Sequence, residues 1–363
     1  MSGIYVHIPF CKKRCSYCSF YSTTLLSKKN LYIDAICREV EANRYFLEKD
    51  SVETLYFGGG TPSTLNSDDI NRIYDAIASA YNLKNLKEFT LECNPDDLNS
   101  SYISSLKDTP VNRISMGIQS FDDALLSFMN RRHSASAAEM AVKLLKENGY
   151  KNISIDLIYG IPNQSMESWK ESVKRAIELN IEHISAYNLS FEEGTEMYKY
   201  CDVAPDDDIC EDMYRHLCST LSENGFEHYE ISNFSKPGYR SLHNSSYWKA
   251  IPYLGIGAGA HSYNIDYRFW NSEMIFSDNK ISWNREEERL DKESIFNELI
   301  LTSLRTKEGI DTRKIEPCFL DYFNKKAKIH IESGMLKIEG FNVSLTKKGI
   351  FISDSIIRDF ILA

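Results

Sequence analysis

Residues 4–18 read IYVHIPFCKKRCSYC. The apolar run Ile4–Ile8 is the pattern of a buried strand, and Pro9 closes it. Directly after it, Cys11, Cys15 and Cys18 form C-x3-C-x2-C among aromatic residues. Thiolates are the standard ligands of iron–sulfur clusters, and three close together on one loop can bind three irons of a 4Fe-4S cubane, leaving the fourth iron open. A structural zinc site wants four ligands, usually as paired C-x2-C elements, and His7 is the only further candidate nearby.

The same strand-then-loop unit recurs along the chain. Strands are expected at Ile4–Ile8, Thr54–Phe57, Glu88–Glu92, Arg113–Gly117, Asn152–Ile158 and His183–Leu189. Amphipathic helices between or after them are expected at Tyr32–Phe46, Ser67–Ala80, Ser134–Glu147, Ser165–Leu179 and Asp206–Asn224. Alternating strands and helices build parallel sheets. Six such strands predict an α/β fold, a partial (β/α)6 TIM-like barrel whose chemistry sits at the C-terminal strand ends. Three segments follow: the barrel at 1–234, a loop and connecting segment at 235–284, and a small α+β, winged-helix-like domain at 285–363. The middle segment is rich in turn formers and aromatics and contains LGIGAGAH at 254–261. In the last, helices are expected at Ser294–Thr306 and Asp311–Ile315, then a β-wing and a final helix.

Composition narrows the function classes. The chain has 363 residues, 42% hydrophobic and 26% charged, as ordinary globular proteins do. Its net charge of −10, with no long Lys/Arg run, argues against nucleic acid as a partner. No leader pattern and no apolar stretch near the ~20 residues of a membrane span is visible, so the expected compartment is the cytoplasm, with peripheral membrane contact at most. Nine cysteines, an odd and uneven set, do not suggest a disulfide framework. Cys37, Cys93, Cys201, Cys210, Cys218 and Cys318 read as buried or incidental thiols.

Further polar candidates fall at strand ends. Gly58-Gly59-Gly60-Thr61-Pro62 follows the second strand, and such a glycine run lets backbone approach a ligand. Glu92, Gln119, Arg131 and Asp156 lie in TLE, SMGIQ, MNRRH and SIDLIYGIP. Singly each is an ordinary solvated group; their joint placement at successive strand ends is the signal.

YVHIPFC, the three-cysteine motif, FGGGTP, SMGIQSF, DLIYGIP and YEISNFSKPGYRSLHNSSYW together resemble the HemN/HemW group of radical S-adenosylmethionine (SAM) proteins, over essentially the whole chain. The resemblance implies a 4Fe-4S cluster on Cys11, Cys15 and Cys18. It also implies a HemN-type C-terminal domain and SAM contacts from Tyr5, Gly59, Gly60, Thr61, Glu92, Gln119, Arg131 and Asp156. In this group the open iron chelates SAM, and an electron from the cluster cleaves it to a 5′-deoxyadenosyl radical.

Three features separate the chain from the group's coproporphyrinogen III dehydrogenases and align it with the heme chaperones. Ser19 and Phe20 follow Cys18 where the dehydrogenase has a further cysteine, and only four residues precede Tyr5 where it has a covering extension. His243-Asn244-Ser245-Ser246-Tyr247-Trp248 matches the chaperone signature HNxxYW. From the residues alone, His243 reads as a hydrogen-bonded loop histidine beside two packed aromatics. The resemblance makes it the axial ligand of heme. The expected function is then heme binding and transfer to respiratory hemoproteins, with oxygen-independent coproporphyrinogen III dehydrogenase as the alternative. A flavodoxin or ferredoxin electron donor is implied only if SAM is cleaved. Oligomeric state is open, a homodimer included.

Overall fold

The computed structural model describes residues 2–48, 52–277 and 279–362. Its first half runs β1 (Ser2–Ile8), α1 (Lys29–Ala42), β2 (Val52–Gly59), α2 (Ser67–Ala80), β3 (Glu88–Cys93), α3 (Ser100–Leu106), β4 (Arg113–Gln119), α4 (Asp123–Phe128), α5 (Ala135–Glu147), β5 (Ile153–Tyr159), α6 (Met166–Glu178) and β6 (His183–Asn188). Strands β1 to β6 pair in sequence order, all parallel. All six expected strands are present, and the (β/α)6 partial barrel is the observed fold.

Each strand divides its side chains by parity. On β1 the even residues Ile4, Val6 and Ile8 are fully buried in the hydrophobic core. On β5, Ile153, Ile155 and Leu157 do the same. The opposite parity turns inward and is polar: Ser115, Asp156 and Ser185 all line a central cleft. Closed barrels fill this space with branched apolar side chains; here it is left open for a ligand.

The second half runs α7 (Asp207–Glu223), β7 (Glu227–Glu230), β8 (Asn233–Ser235), α8 (Leu242–Trp248), β9 (Tyr253–Ile256), β10 (His261–Asn264), β11 (Tyr267–Asn271), β12 (Ile275–Ser277), β13 (Lys280–Ser282) and β14 (Arg285–Arg289). Antiparallel β8 and β7 extend the sheet beyond β6. At its other edge β9 lies parallel to β1, and β10, β11 and β14 follow antiparallel. The glycine-dense 254–261 stretch therefore contains a seventh parallel strand, which its lack of periodicity hid. The expected loop through 235–248 is also corrected. The HNxxYW residues form the two-turn helix α8, begun by the Ser241 side chain, which accepts from the Asn244 amide.

The chain ends with α9 (Lys292–Ser303), β15 (Ile310–Asp311), α10 (Pro317–Glu332), β16 (Leu336–Glu339), β17 (Asn342–Leu345) and α11 (Ser353–Phe360). These elements enclose a second core around Phe296, Ile300, Phe323 and Phe360. The β16–β17 wing and final helix are as expected. The helix expected at 311–315 is instead a two-residue strand and a single 3-10 turn, and the real helix α10 starts at Pro317. Proline at the first helical position loses no hydrogen bond, so it starts a helix there rather than ending one.

Candidate functional site

The cysteine loop after β1 is tied down from several sides. The Cys11 amide donates to the Thr23 carbonyl at 2.8 Å, and the Ser16 amide to the Met129 carbonyl at 3.2 Å. Lys12 pairs with buried Asp97 at 2.5 Å, and Asp97 also takes Arg132 and the Ser63 hydroxyl. Cys11, Cys15 and Cys18 thereby face one cleft of about 460 Å³ at the open end of the barrel, within the usual range for small-molecule sites.

Gly59, Gly60, Thr61, Glu92, Gln119, Arg131 and Asp156 line the same cleft. Gly59 has φ +112°, and a Cβ there would come within 2.5–2.8 Å of the His7 ring, so only glycine fits. Its amide donates to Glu92 Oε2 at 3.1 Å, while the Tyr56 hydroxyl donates to Oε1 at 2.7 Å. Burial pushes the Glu92 carboxyl up to about 7; the Tyr56 bond opposes this and the Asp156 charge adds to it. Burial likewise raises Asp156 to about 6, against the hydrogen bond from Ser185. Gln119 sits at φ +71° beside a register shift between β4 and β5, a bulge that aims its side chain inward. The Arg131 guanidinium donates to Cys15 Sγ at 3.1 Å, to Asn94 Oδ1 at 2.8 Å and to the Gly117 carbonyl.

Two expected residues lie elsewhere. Tyr5 is behind the wall, its ring stacked on Tyr56 at 6.0 Å and its hydroxyl bonded to His7 Nδ1 at 3.1 Å. His243 is 1% exposed under the barrel. Its Nδ1 shares a hydrogen bond with Thr54 Oγ1 at 2.9 Å and its Nε2 one with the Tyr247 hydroxyl at 2.7 Å. Its ring stacks on Tyr56 at 5.1 Å. Burial, with the Arg113 charge adding, depresses its pKa to about 3, which keeps the ring neutral. Glu88 receives the amides of Leu242 and His243, both at 2.9 Å, and so caps α8.

Sequence reasoning passed over Asn94, Arg113, Ser115, Tyr187 and Asn244, all in the cleft wall. Parity holds a signal for two of them: Arg113, Ser115, Gly117 and Gln119 share one face of β4 and all line the cleft. Asn244 reaches it from a helix that sequence reading took for a loop.

A partial β/α barrel with three thiols facing its open cleft is the architecture of a radical SAM protein, and the model of the Radical SAM superfamily matches residues 5–176. The heme chaperone HemW of Lactococcus lactis is 35% identical over 373 residues, covering 99% of this chain and 97% of that one. The heme chaperone HemW of Escherichia coli is 34% identical over 261 residues, 71% and 69% of the two chains. This chain belongs to the HemW family. The solved structure of coproporphyrinogen III oxidase (HemN) from Escherichia coli, described as a radical SAM enzyme, shares the fold. Its TM-score is 0.85 at 23% identity, over 99% of this chain and 90% of that one.

That fold implies a 4Fe-4S cluster and SAM, and the residues suit both. Among the described residues no three His, Cys, Asp or Glu side chains converge as the ligands of one metal ion do. Three thiols facing a shared cavity suit a cluster instead, in which each sulfur holds its own iron. The Arg131 guanidinium donates to Cys15 Sγ and the Thr61 hydroxyl to Cys11 Sγ at 3.4 Å; burial raises the Cys11 thiol pKa, and the Thr61 bond opposes it. The carboxyls of Glu92 and Asp156 and the Gly59–Thr61 backbone supply acceptors for an amine and a ribose.

Proposed function

We propose that this protein holds the cluster on Cys11, Cys15 and Cys18, binds SAM in the cleft, and carries heme to respiratory hemoprotein clients. The reading rests on one observation above all. The HNxxYW helix α8 packs on the same barrel whose open end carries the three thiols, and Tyr56 touches both, stacking on His243 and donating to Glu92.

In this reading Glu92 and the Gly59–Gly60 backbone receive the SAM amine, Arg131 its carboxylate, and Asp156 with Gln119 the ribose; Tyr5 supports them by packing on Tyr56. Cluster and SAM together supply one-electron chemistry, and a flavodoxin or ferredoxin is needed only if that chemistry runs. His243 is the proposed axial ligand. Ligation requires α8 to release Nε2 from Tyr247, which also frees two flat aromatic surfaces, Tyr247 and Trp248, for a porphyrin. No helix among the described residues is long and apolar enough to cross a membrane, and the proposed handover is peripheral, from the cytoplasm.

Two anaerobic measurements on reconstituted protein test this. With coproporphyrinogen III, SAM and a reductant, no protoporphyrin is expected; many turnovers would make the protein the dehydrogenase. In a heme titration, one heme per chain is expected, and His243→Ala is expected to alter the Soret band and weaken binding about tenfold. An unchanged spectrum removes His243 as the ligand.

A further inference from the structure

The cleft continues past Glu92 and Asp156 to the strand starts, where Arg113 and Asn244 line it. Arg113 opens β4 and is 1% exposed. Its Nη1 donates a long 3.4 Å bond to Thr90 Oγ1, and its buried Nε has no partner among the described residues. No carboxylate among those residues forms an ion pair with this guanidinium. Glu88, on the adjacent strand, is taken by the α8 amides, and Glu92 by Tyr56 and Gly59. The charge of Arg113 still acts on Glu92 and Asp156, holding both carboxyls lower than burial alone would. Asn244 uses its backbone amide on Ser241 Oγ at 3.3 Å, while its carboxamide makes no hydrogen bond among the described residues.

A buried cation with no carboxylate in direct contact is costly, and an anion entering the cleft would offset that cost. A guanidinium with an unpartnered N–H and a carboxamide lining the same cleft offer the kind of donors a carboxylate accepts from. We propose that Arg113 and Asn244 form a carboxylate-binding subsite at the floor of the cleft, apart from the Arg131 end. The HNxxYW asparagine then reads the ligand from the same helix that carries His243. Two ligands of the proposed function carry carboxylates, heme through its propionates and SAM through its amino-acid group; with the SAM carboxylate given to Arg131, a propionate is the occupant expected here, and the subsite rests on one of the two ligands occupying the cleft.

The test uses the cluster-loaded protein, anaerobically, with four probes: SAM, decarboxylated SAM, heme and heme dimethyl ester. Asn244→Asp places a competing carboxylate at the subsite, and Arg113→Gln removes its charge. The expected result for both variants is binding of an acid weakened about tenfold or more, with its carboxylate-free partner changed by less than about twofold. Loss confined to heme identifies propionate as the occupant, and loss confined to SAM places the amino-acid carboxylate here and removes it from Arg131. Should Arg113→Gln not fold, Asn244→Asp carries the test. If Asn244→Asp binds both acids as the parent does, the subsite is refuted. If the parent binds no heme, the heme-carrier reading fails by itself, and the SAM pair of probes still decides the subsite.

Discussion

Cys15 is the thiol that Arg131 reaches, and Arg131 in turn anchors on Asn94 and the Gly117 carbonyl. Thiolate loss at this position removes one of the three proposed iron ligands and the partner of a buried guanidinium together. Cys15→Ala is therefore expected to yield protein without its iron and sulfide after anaerobic reconstitution; a full complement would disprove the cluster assignment. Glu92 carries a pH signature. Its carboxyl is raised from 4.5 to about 7, so the folded protein keeps a proton that the unfolded chain has released over that interval. Stability of the ligand-free protein should fall as pH rises from 4.5 to 7, because the native state binds more protons there. SAM affinity should move the other way, rising through pH 7 as the carboxylate proposed to accept the amine forms. Glu92→Gln is expected to flatten both profiles, measured by urea unfolding and by SAM titration; profiles unchanged by the substitution would exclude Glu92 as the titrating group.

Among the elements, α8 depends most on a single distant side chain. It is seven residues long, too short to persist alone, and its first two amides are satisfied by Glu88 from β3, with only the third taken by its own Ser241. Gly3 of β1 makes room for it, since a Cβ there would lie 3.0 Å from His243 Nδ1. Glu88→Ala should cost about 2–3 kcal/mol in urea unfolding, the loss of two charge-assisted hydrogen bonds in a buried place. Hydrogen exchange should locate the loosening in residues 242–248. The helix α2 is a contrast, capped locally by Asn66, whose side chain and that of Asp69 bond each other's backbone amides. Asn66→Ala should cost about 1 kcal/mol and leave exchange elsewhere unchanged.

Across the whole molecule, two cores meet where the outer strands of the sheet touch the C-terminal elements. Glu227 of β7 joins them, accepting from Arg240 at 2.7 Å and from Lys307 at 2.9 Å, and Arg240 also holds Glu308. Those bonds lower the Glu227 carboxyl from 4.5 to about 2. The stability they bring is complete above 4.5 and disappears as pH falls toward 2. Urea midpoints should therefore drop over that interval more in the parent than in Glu227→Gln; parallel curves would show that the pairs are screened by solvent. Phe323, fully buried in the second core, should cost about 3–5 kcal/mol on truncation to alanine.

What the sequence determined by itself was local. The apolar runs at Ile4–Ile8 and Asn152–Ile158, the amphipathic stretches between strands and the 11-15-18 cysteine spacing all arise between near neighbours in the chain. They were enough for the partial barrel and, with the family resemblance, pointed to eight residues of which seven line the cleft. The tertiary structure decided the rest, because it brought together groups far apart in sequence. β9 found its edge beside β1 although 254–261 has no strand pattern of its own. Glu88 captured amides 154 and 155 residues away and turned an apparent loop into a helix. His243, legible as a hydrogen-bonded histidine beside packed aromatics, is sealed between Thr54 and Tyr247, while Asn244, one position on, faces the cleft with Arg113. A helix turns its side chains by about 100° per residue, so which member of HNxxYW meets the ligand depends on how α8 docks.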